Sequence, residues 1–267
     1  MELKMRYRYA VISLIILMSG CVAPLPNLLI KDNIRDDGIS FTKDNFFWIS
    51  PDIWLDNNGD GQPDEMAKIG KSNKLFARIH NIGTAEARDV KVKFYVNRSN
   101  TYFSFTEGAL IGTNVISNIG AGETTVTSIS WENVNEANCW SYGVAVESAD
   151  DPIISNEPVN ESNLAYRSFW TVYTYSGRPV ILKFRIQNPL SVKTRVNLTL
   201  DTQNLPGKWG AFLGKGSFDL LAKESKPVLL MVTPPINSEK KEALLNVIST
   251  IEDRIIGGIT YKIKIKE

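Results

Sequence analysis

Asp56-Asn-Asn58-Gly-Asp60-Gly61-Gln62-Pro-Asp64 places oxygen-bearing side chains at relative positions one, three, five and nine, with glycine at position six. Hard Ca²⁺ takes about six to eight oxygen ligands, and a glycine in that place allows the sharp turn that wraps them round one point. Gln62, at position seven, would contribute its backbone carbonyl. At position twelve stands Ala67, where a helix-flanked calcium loop needs a bidentate Glu, and no helical periodicity flanks the stretch. The expectation is a solitary loop that holds structural Ca²⁺ through Asp56, Asn58, Asp60, Gln62 and Asp64. Glu65, Asp52 or a residue from another loop would complete the shell. The competing reading is a plain Asn-Gly turn, which the same residues favour without any metal. Three Asp in nine residues repel one another unless a cation lies between them, which favours calcium.

Little else in the chain points to chemistry. His80 is the single histidine, so any mechanism needing two imidazoles is excluded. The spacing around it matches neither zinc ligands nor a serine hydrolase, and it is expected to hydrogen-bond or pack on its strand. Cys139, beside Trp140 in an apolar strand pattern, is expected to be a small buried hydrophobe. Scattered carboxylates do not pair as a general acid and base. No catalytic residues are expected, and the protein is read as a non-enzyme. With 30 Lys and Arg against 29 Asp and Glu, the charge totals give no reason to expect a nucleic-acid partner.

The amino terminus supplies an address. Lys4, Arg6 and Arg8 precede an apolar stretch from Ala10 to Met18, which ends in Ser19-Gly20-Cys21. Residues 1–20 read as a secretory signal peptide. Pro24 and Pro26 would break a longer helix, leaving about fifteen residues where a membrane span needs roughly 20. Met18-Ser19-Gly20-Cys21 resembles the lipobox of prokaryotic lipoproteins, which implies that Cys21 becomes the lipidated first residue. The expected location is outside the cytoplasmic membrane or on the cell surface, held by lipid at Cys21. Residues 21–46, with two prolines and the mixed charge run Lys31–Asp37, read as a tether.

From Phe47 onward, short runs with period-two alternation are separated by turn residues, and the chain is read as all-β. In Val90-Lys-Val-Lys-Phe-Tyr-Val96, the residues Val90, Val92, Phe94 and Val96 share one face while Lys91 and Lys93 take the other. Seven such segments lie in residues 47–168 and a second series in 169–267. The prediction is two tandem immunoglobulin-like β-sandwiches after the signal peptide and tether. Each half has a strand ending in Asn and a turn, at Asn81 and at Asn188, which fits one corner used twice.

Phe76-Ala-Arg-Ile-His-Asn81-Ile-Gly83, Val90–Val96, Ile119-Gly120-Ala121-Gly122-Glu123 and Trp131 together resemble the CARDB group, immunoglobulin-like modules associated with cell adhesion in exported proteins. The calcium-type loop is similar to those of dockerin and thrombospondin type repeats. The second half, with Phe184-Arg-Ile-Gln-Asn188-Pro189 and Leu205-Pro206-Gly207-Lys-Trp209, is similar to accessory modules of secreted glycosidases and surface-layer proteins. These resemblances imply adhesion, binding or assembly with a protein or glycan of the cell envelope. The alternative is a carbohydrate-binding accessory subunit of a secreted hydrolase. The expected contact residues are the loop aromatics Tyr102, Phe105 and Trp209.

Overall fold

The structure, a computed structural model, describes residues 23–38, 46–64, 66–98, 100–106, 109–132, 134, 140–155, 157 and 161–266. Among these every regular element is a β-strand. Strands β1 (Leu28–Leu29), β2 (Ile53–Leu55), β3 (Asn73–Asn81), β4 (Ala87–Arg98), β5 (Leu110–Ile119), β6 (Thr124–Trp131), β7 (Trp140–Glu147) and β8 (Leu164–Arg167) make two sheets. In one, β1 and β2 pair along one side of β3 and β6 along the other; the second runs β5-β4-β7-β8. Alternation decides which face is dry. Leu75, Ala77 and Ile79 of β3 meet Val90, Val92 and Phe94 of β4 in one core, closed by Val144 and Trp131.

The chain continues through β9 (Phe169–Tyr175), β10 (Val180–Gln187), β11 (Thr194–Asp201), β12 (Gly210–Leu213), β13 (Ser217–Leu220), β14 (Ser225–Thr233), β15 (Glu242–Ile251) and β16 (Arg254–Lys266). A three-stranded sheet β10-β14-β12 faces a five-stranded sheet β13-β11-β15-β16-β9, in which β9 runs parallel to β16. Their core includes Trp170, Phe184, Leu230, Val247 and Tyr261. The all-β sandwich reading from the alternation patterns stands.

The recurring Asn corner also stands, and its chemistry is the same at both sites. Asn81 is fully buried. Its Nδ2 donates to the carbonyls of Ala85 (2.7 Å) and Ile119 (3.0 Å), and its Oδ1 accepts from the backbone N–H of Gly83. Asn188 is equally buried. Its Nδ2 donates to Val192 (2.7 Å) and Leu220 (3.3 Å), and its Oδ1 accepts from Leu190 N–H. Each corner is closed by a second turn. Glu123 takes the N–H of Gly120 on its carboxylate, and Glu224 takes that of Leu221. The left-handed residue is Gly122 in the first turn (φ 75°) and Lys223 in the second (φ 59°).

The tether expectation needs correction. Leu28 and Leu29 form β1 against Asn81 and His80, and Leu28, Leu29 and Ile30 are no more than 1% exposed. Three consecutive apolar residues find buried surface on the free side of β3, so this segment is part of the first sandwich. Asp151, in the turn bridged between Ser148 and Asp151, locks it by accepting Leu28 N–H at 2.6 Å. Residues 39–45 lie outside the described residues.

Between the two cores sits a third apolar cluster, centred on Trp48, Phe103 and Tyr166 with Ile248 and Ile255 packed against it. The fully buried Trp48 lies on the backbone of β16: a Cβ at Gly258 would fall 2.3 Å from its ring. Its Nε1 donates to Thr260 Oγ1, which donates to Asn246 Oδ1, so the indole ends in a buried polar chain. Only Ser168, fully buried, separates β8 from β9. Its N–H bonds Trp48 O and its carbonyl receives Thr260 N–H. Asn100 pairs with Arg185, and Thr101 N–H bonds Arg185 O. The two sandwiches are thus joined without a free linker.

Candidate functional site

The Asp56–Asp64 loop leaves β2 and returns at a single bridge between Leu55 and Asp64. Asp56 is 5% exposed and organises the turn: Oδ1 accepts Gly59 N–H at 2.7 Å and Oδ2 accepts Gly61 N–H at 3.0 Å. Both glycines are left-handed, at φ 75° and 77°, which side chains rarely adopt. Asp60 accepts Gln62 N–H and the Asn58 amide, and Asp64 accepts Asn57 N–H at 2.5 Å. Among the described residues no group of three or more His, Cys, Asp or Glu side chains gathers as a metal site; Glu65 is outside them. The donors are nevertheless hard oxygens. Each carboxylate oxygen that takes one N–H keeps a lone pair for a cation, so the donor chemistry suits calcium.

Asp52 is not available to complete that shell. It is 2% exposed, and Oδ1 accepts from Arg78 Nη1 (3.2 Å) while Oδ2 accepts Lys31 N–H (3.0 Å) and lies 2.9 Å from His80 Nε2. The other imidazole nitrogen lies 2.9 Å from Thr124 Oγ1. A carboxylate, an imidazole and a hydroxyl in line resemble a nucleophile relay. Here the carboxylate is shared with a guanidinium and a backbone N–H, and the hydroxyl stands on the exposed outer face of β6. The arrangement satisfies a buried charge and ties residue 31 to β3, and His80 is the hydrogen-bonding strand residue expected from the sequence.

The three loop aromatics separate. Trp209 is 7% exposed, belongs to the second core and donates its Nε1 to Ser238 Oγ at 3.1 Å, so it cannot offer its ring to a partner. An indole with a polar partner in reach is buried for its area. Phe105 is packed too, edge-on to Tyr95 and tilted against Phe103, at centroid distances of 5.3 and 4.9 Å. Tyr102 alone reaches a cavity. Cys21 and Cys139 lie outside the described residues.

That cavity, about 240 Å³, opens where the sandwiches meet, between Phe47 and Tyr102 on one side and Leu190, Ile251 and Ile256 on the other. Arg254 and Glu157 form an ion pair at its rim. Burial and the neighbouring Glu157 push the Tyr102 hydroxyl above the ordinary tyrosine range, so it stays a protonated hydrogen-bond donor at neutral pH. An apolar wall with one hydroxyl and one ion pair could take a small amphipathic group. The sequence could not place this site, because its walls come from segments more than a hundred residues apart.

Residues 51–163 match the CARDB family. Among solved structures, the chain is similar to the CARDB domain of a Pyrococcus furiosus protein in complex with di-metal ions, at 13% identity over 54% of this chain and 85% of that one, TM-score 0.32. It is similar to a Geobacter metallireducens protein solved in solution, at 24% identity over 39% and 83%, TM-score 0.29. It is also similar to a Porphyromonas gingivalis protein of unknown function, at 10% identity over 72% and 91%, TM-score 0.28. A search of curated proteins gave no match.

On the outer face of the first sandwich, Trp54 and Phe76 stand opposite each other on β2 and β3 with rings stacked at 5.4 Å and 9°. Arg78 lies over Trp54 at 5.2 Å and Lys74 over Phe76 at 5.1 Å. Cations cap the stack, so the pair is not an open platform for a sugar ring.

Proposed function

We propose that the protein is an exported lipoprotein, anchored through Cys21, that acts by binding a protein or glycan of the cell envelope in adhesion or assembly, without catalysis. The observation that carries this reading is the CARDB match over residues 51–163, a module of adhesion-related character, joined without a free linker to a second sandwich. Loops at the ends of such sandwiches can vary without unfolding them. The role of accessory subunit to a secreted hydrolase remains the alternative within the same binding class. With Pro26 already buried, only residues 22–25 separate Cys21 from the folded body. They reach at most about 18 Å when extended, so the anchor holds the CARDB domain close to the bilayer.

Cell fractionation tests the anchor. Replacing Cys21 with Ser should move the protein from the membrane to the secreted soluble fraction or leave an uncleaved precursor. Unchanged processing with membrane retention would overturn it.

Calcium belongs to the same proposal as a structural ion for Asp56, Asn58, Asp60 and Asp64 and the Gln62 carbonyl, holding the turn that Asp56 already shapes. At a hundredfold excess over its dissociation constant a ligand of the native state adds about 2.7 kcal/mol. Millimolar Ca²⁺ should therefore raise the melting temperature by several degrees over chelator, and D56A should abolish the difference. Superposed melting curves would make the loop a turn only.

A further inference from the structure

The two outer faces of the second sandwich differ in kind. The five-stranded sheet carries the ion pairs Arg195–Asp219 and Lys262–Glu242 on its outside. The three-stranded sheet has no such pairs to make across it: β10, β14 and β12 contain no Asp or Glu, and their only charges are Lys183, Arg185 and Lys226. Alternation turns Leu182, Val228 and Leu230 into the core and leaves Ile181, Phe212, Leu229 and Met231 outside, each 40–62% exposed. Register brings these four together. Met231 stands between Ile181 on β10 and Phe212 on β12, and Leu229, on the same face of β14, stands opposite Lys183.

Exposed apolar residues that stand singly are ordinary. Val115 and Val126 are of that kind, facing Lys91 and Arg78 on the strands beside them. Four large apolar side chains in contact across three strands are a patch, and a patch of that size on a sheet face marks an interaction surface. The charge around it has one sign. Arg185 lies on the same face and donates to Ser225, and Lys215 follows β12. Residues 169–267 as a whole carry 15 Lys and Arg against eight Asp and Glu, a formal +7. A second copy stacked face to face would bring its own Lys183 and Arg185 against this positive rim. Phosphate headgroups above an acyl layer complement both the cations and the apolar centre.

We propose that the outer face of β10, β14 and β12 docks on an anionic lipid bilayer, with Ile181, Phe212, Leu229 and Met231 entering the headgroup boundary and Lys183, Arg185 and Lys215 meeting lipid phosphates. The inference goes beyond the envelope-binding role proposed above and does not depend on it. A lipid on Cys21 would hold only the first sandwich near the membrane; this face gives the second sandwich a contact of its own. Two weak attachments on one rigid chain reinforce each other, because the first raises the effective concentration of the second.

Vesicle co-sedimentation tests this on the chain expressed without residues 1–20 and with Cys21→Ser, so that no lipid is attached. The expected result is binding to phosphatidylcholine vesicles containing about 30% phosphatidylglycerol and little to phosphatidylcholine alone, since anionic lipid supplies the electrostatic part. I181S/F212S should weaken binding about tenfold or more, and K183E/K215E about fivefold or more, both at unchanged melting temperature because the side chains are exposed. V115S/V126S, which removes exposed apolar groups from the first sandwich, should stay within about twofold. Absence of binding to the anionic vesicles, or equal losses in I181S/F212S and V115S/V126S, would overturn the site. A dimer in sedimentation equilibrium that I181S/F212S dissolves, without vesicle binding, would overturn the bilayer and give the face to a second copy. Because the tested protein carries no lipid, either failure would leave the Cys21 anchor and the adhesion role standing.

Discussion

Trp48→Ala is expected to cost about 3–5 kcal/mol and to split one unfolding transition into two. A fully buried Trp is among the most expensive side chains to truncate, because its transfer energy and a cavity are lost together. Trp48 touches both cores' neighbours: its ring lies on Gly258, its indole N–H feeds Thr260 and Asn246, and its carbonyl accepts Ser168 N–H between β8 and β9. Without the ring, the Thr260 hydroxyl loses its donor and Phe46 and Phe47 lose the ring they pack on. Gly258→Val attacks the same contact from the other side, since a Cβ has no room against a rigid indole. Differential scanning calorimetry reads both. A Trp48→Ala protein that melts within a degree of wild type would show that the seam contributes nothing.

The second large effect belongs to the corners. Asn81→Ala removes two buried donations and two acceptances at once, to Ala85 and Ile119 carbonyls and from Asn27 and Gly83 N–H. A buried polar group left unpaired costs about 1–3 kcal/mol, so the loss should reach about 3–5 kcal/mol. Asn81→Asp keeps the acceptances but turns an oxygen toward two carbonyls, and should be no better than Ala. Asn188→Ala should lose a similar amount in its own sandwich. Urea midpoints measure all three, and the two Asn→Ala losses should add, since the sites share no partner. Losses under 1 kcal/mol would reduce the corners to ordinary turns.

Much of this was legible in the residues themselves. Alternation located β4, which runs from Ala87 to Arg98 around the predicted Val90–Val96, because one wet and one dry face write a period of two into the sequence. The Asn corner was legible because buried turns need a side chain that both donates and accepts. Strands β12 and β13 were missed: four residues each, Gly-rich at their ends, they carry too little alternation to see. The segment Leu28–Ile30 looked like tether because it lies among prolines and charges, and only the free side of β3 makes it a strand. At the sites the limit was distance along the chain. Trp209 read as an exposed anchor until Ser238 supplied its polar partner, and Asp52 read as a spare metal ligand until Arg78 and His80 claimed it.

The cavity beside Tyr102 opens only where the two sandwiches meet. The central claim is therefore that the chain is one rigid body. Calorimetry of the wild-type protein tests it most directly. The account predicts a single transition whose calorimetric enthalpy equals its van't Hoff enthalpy. Two resolved transitions, each with the enthalpy of a domain of about 100–140 residues, would contradict it.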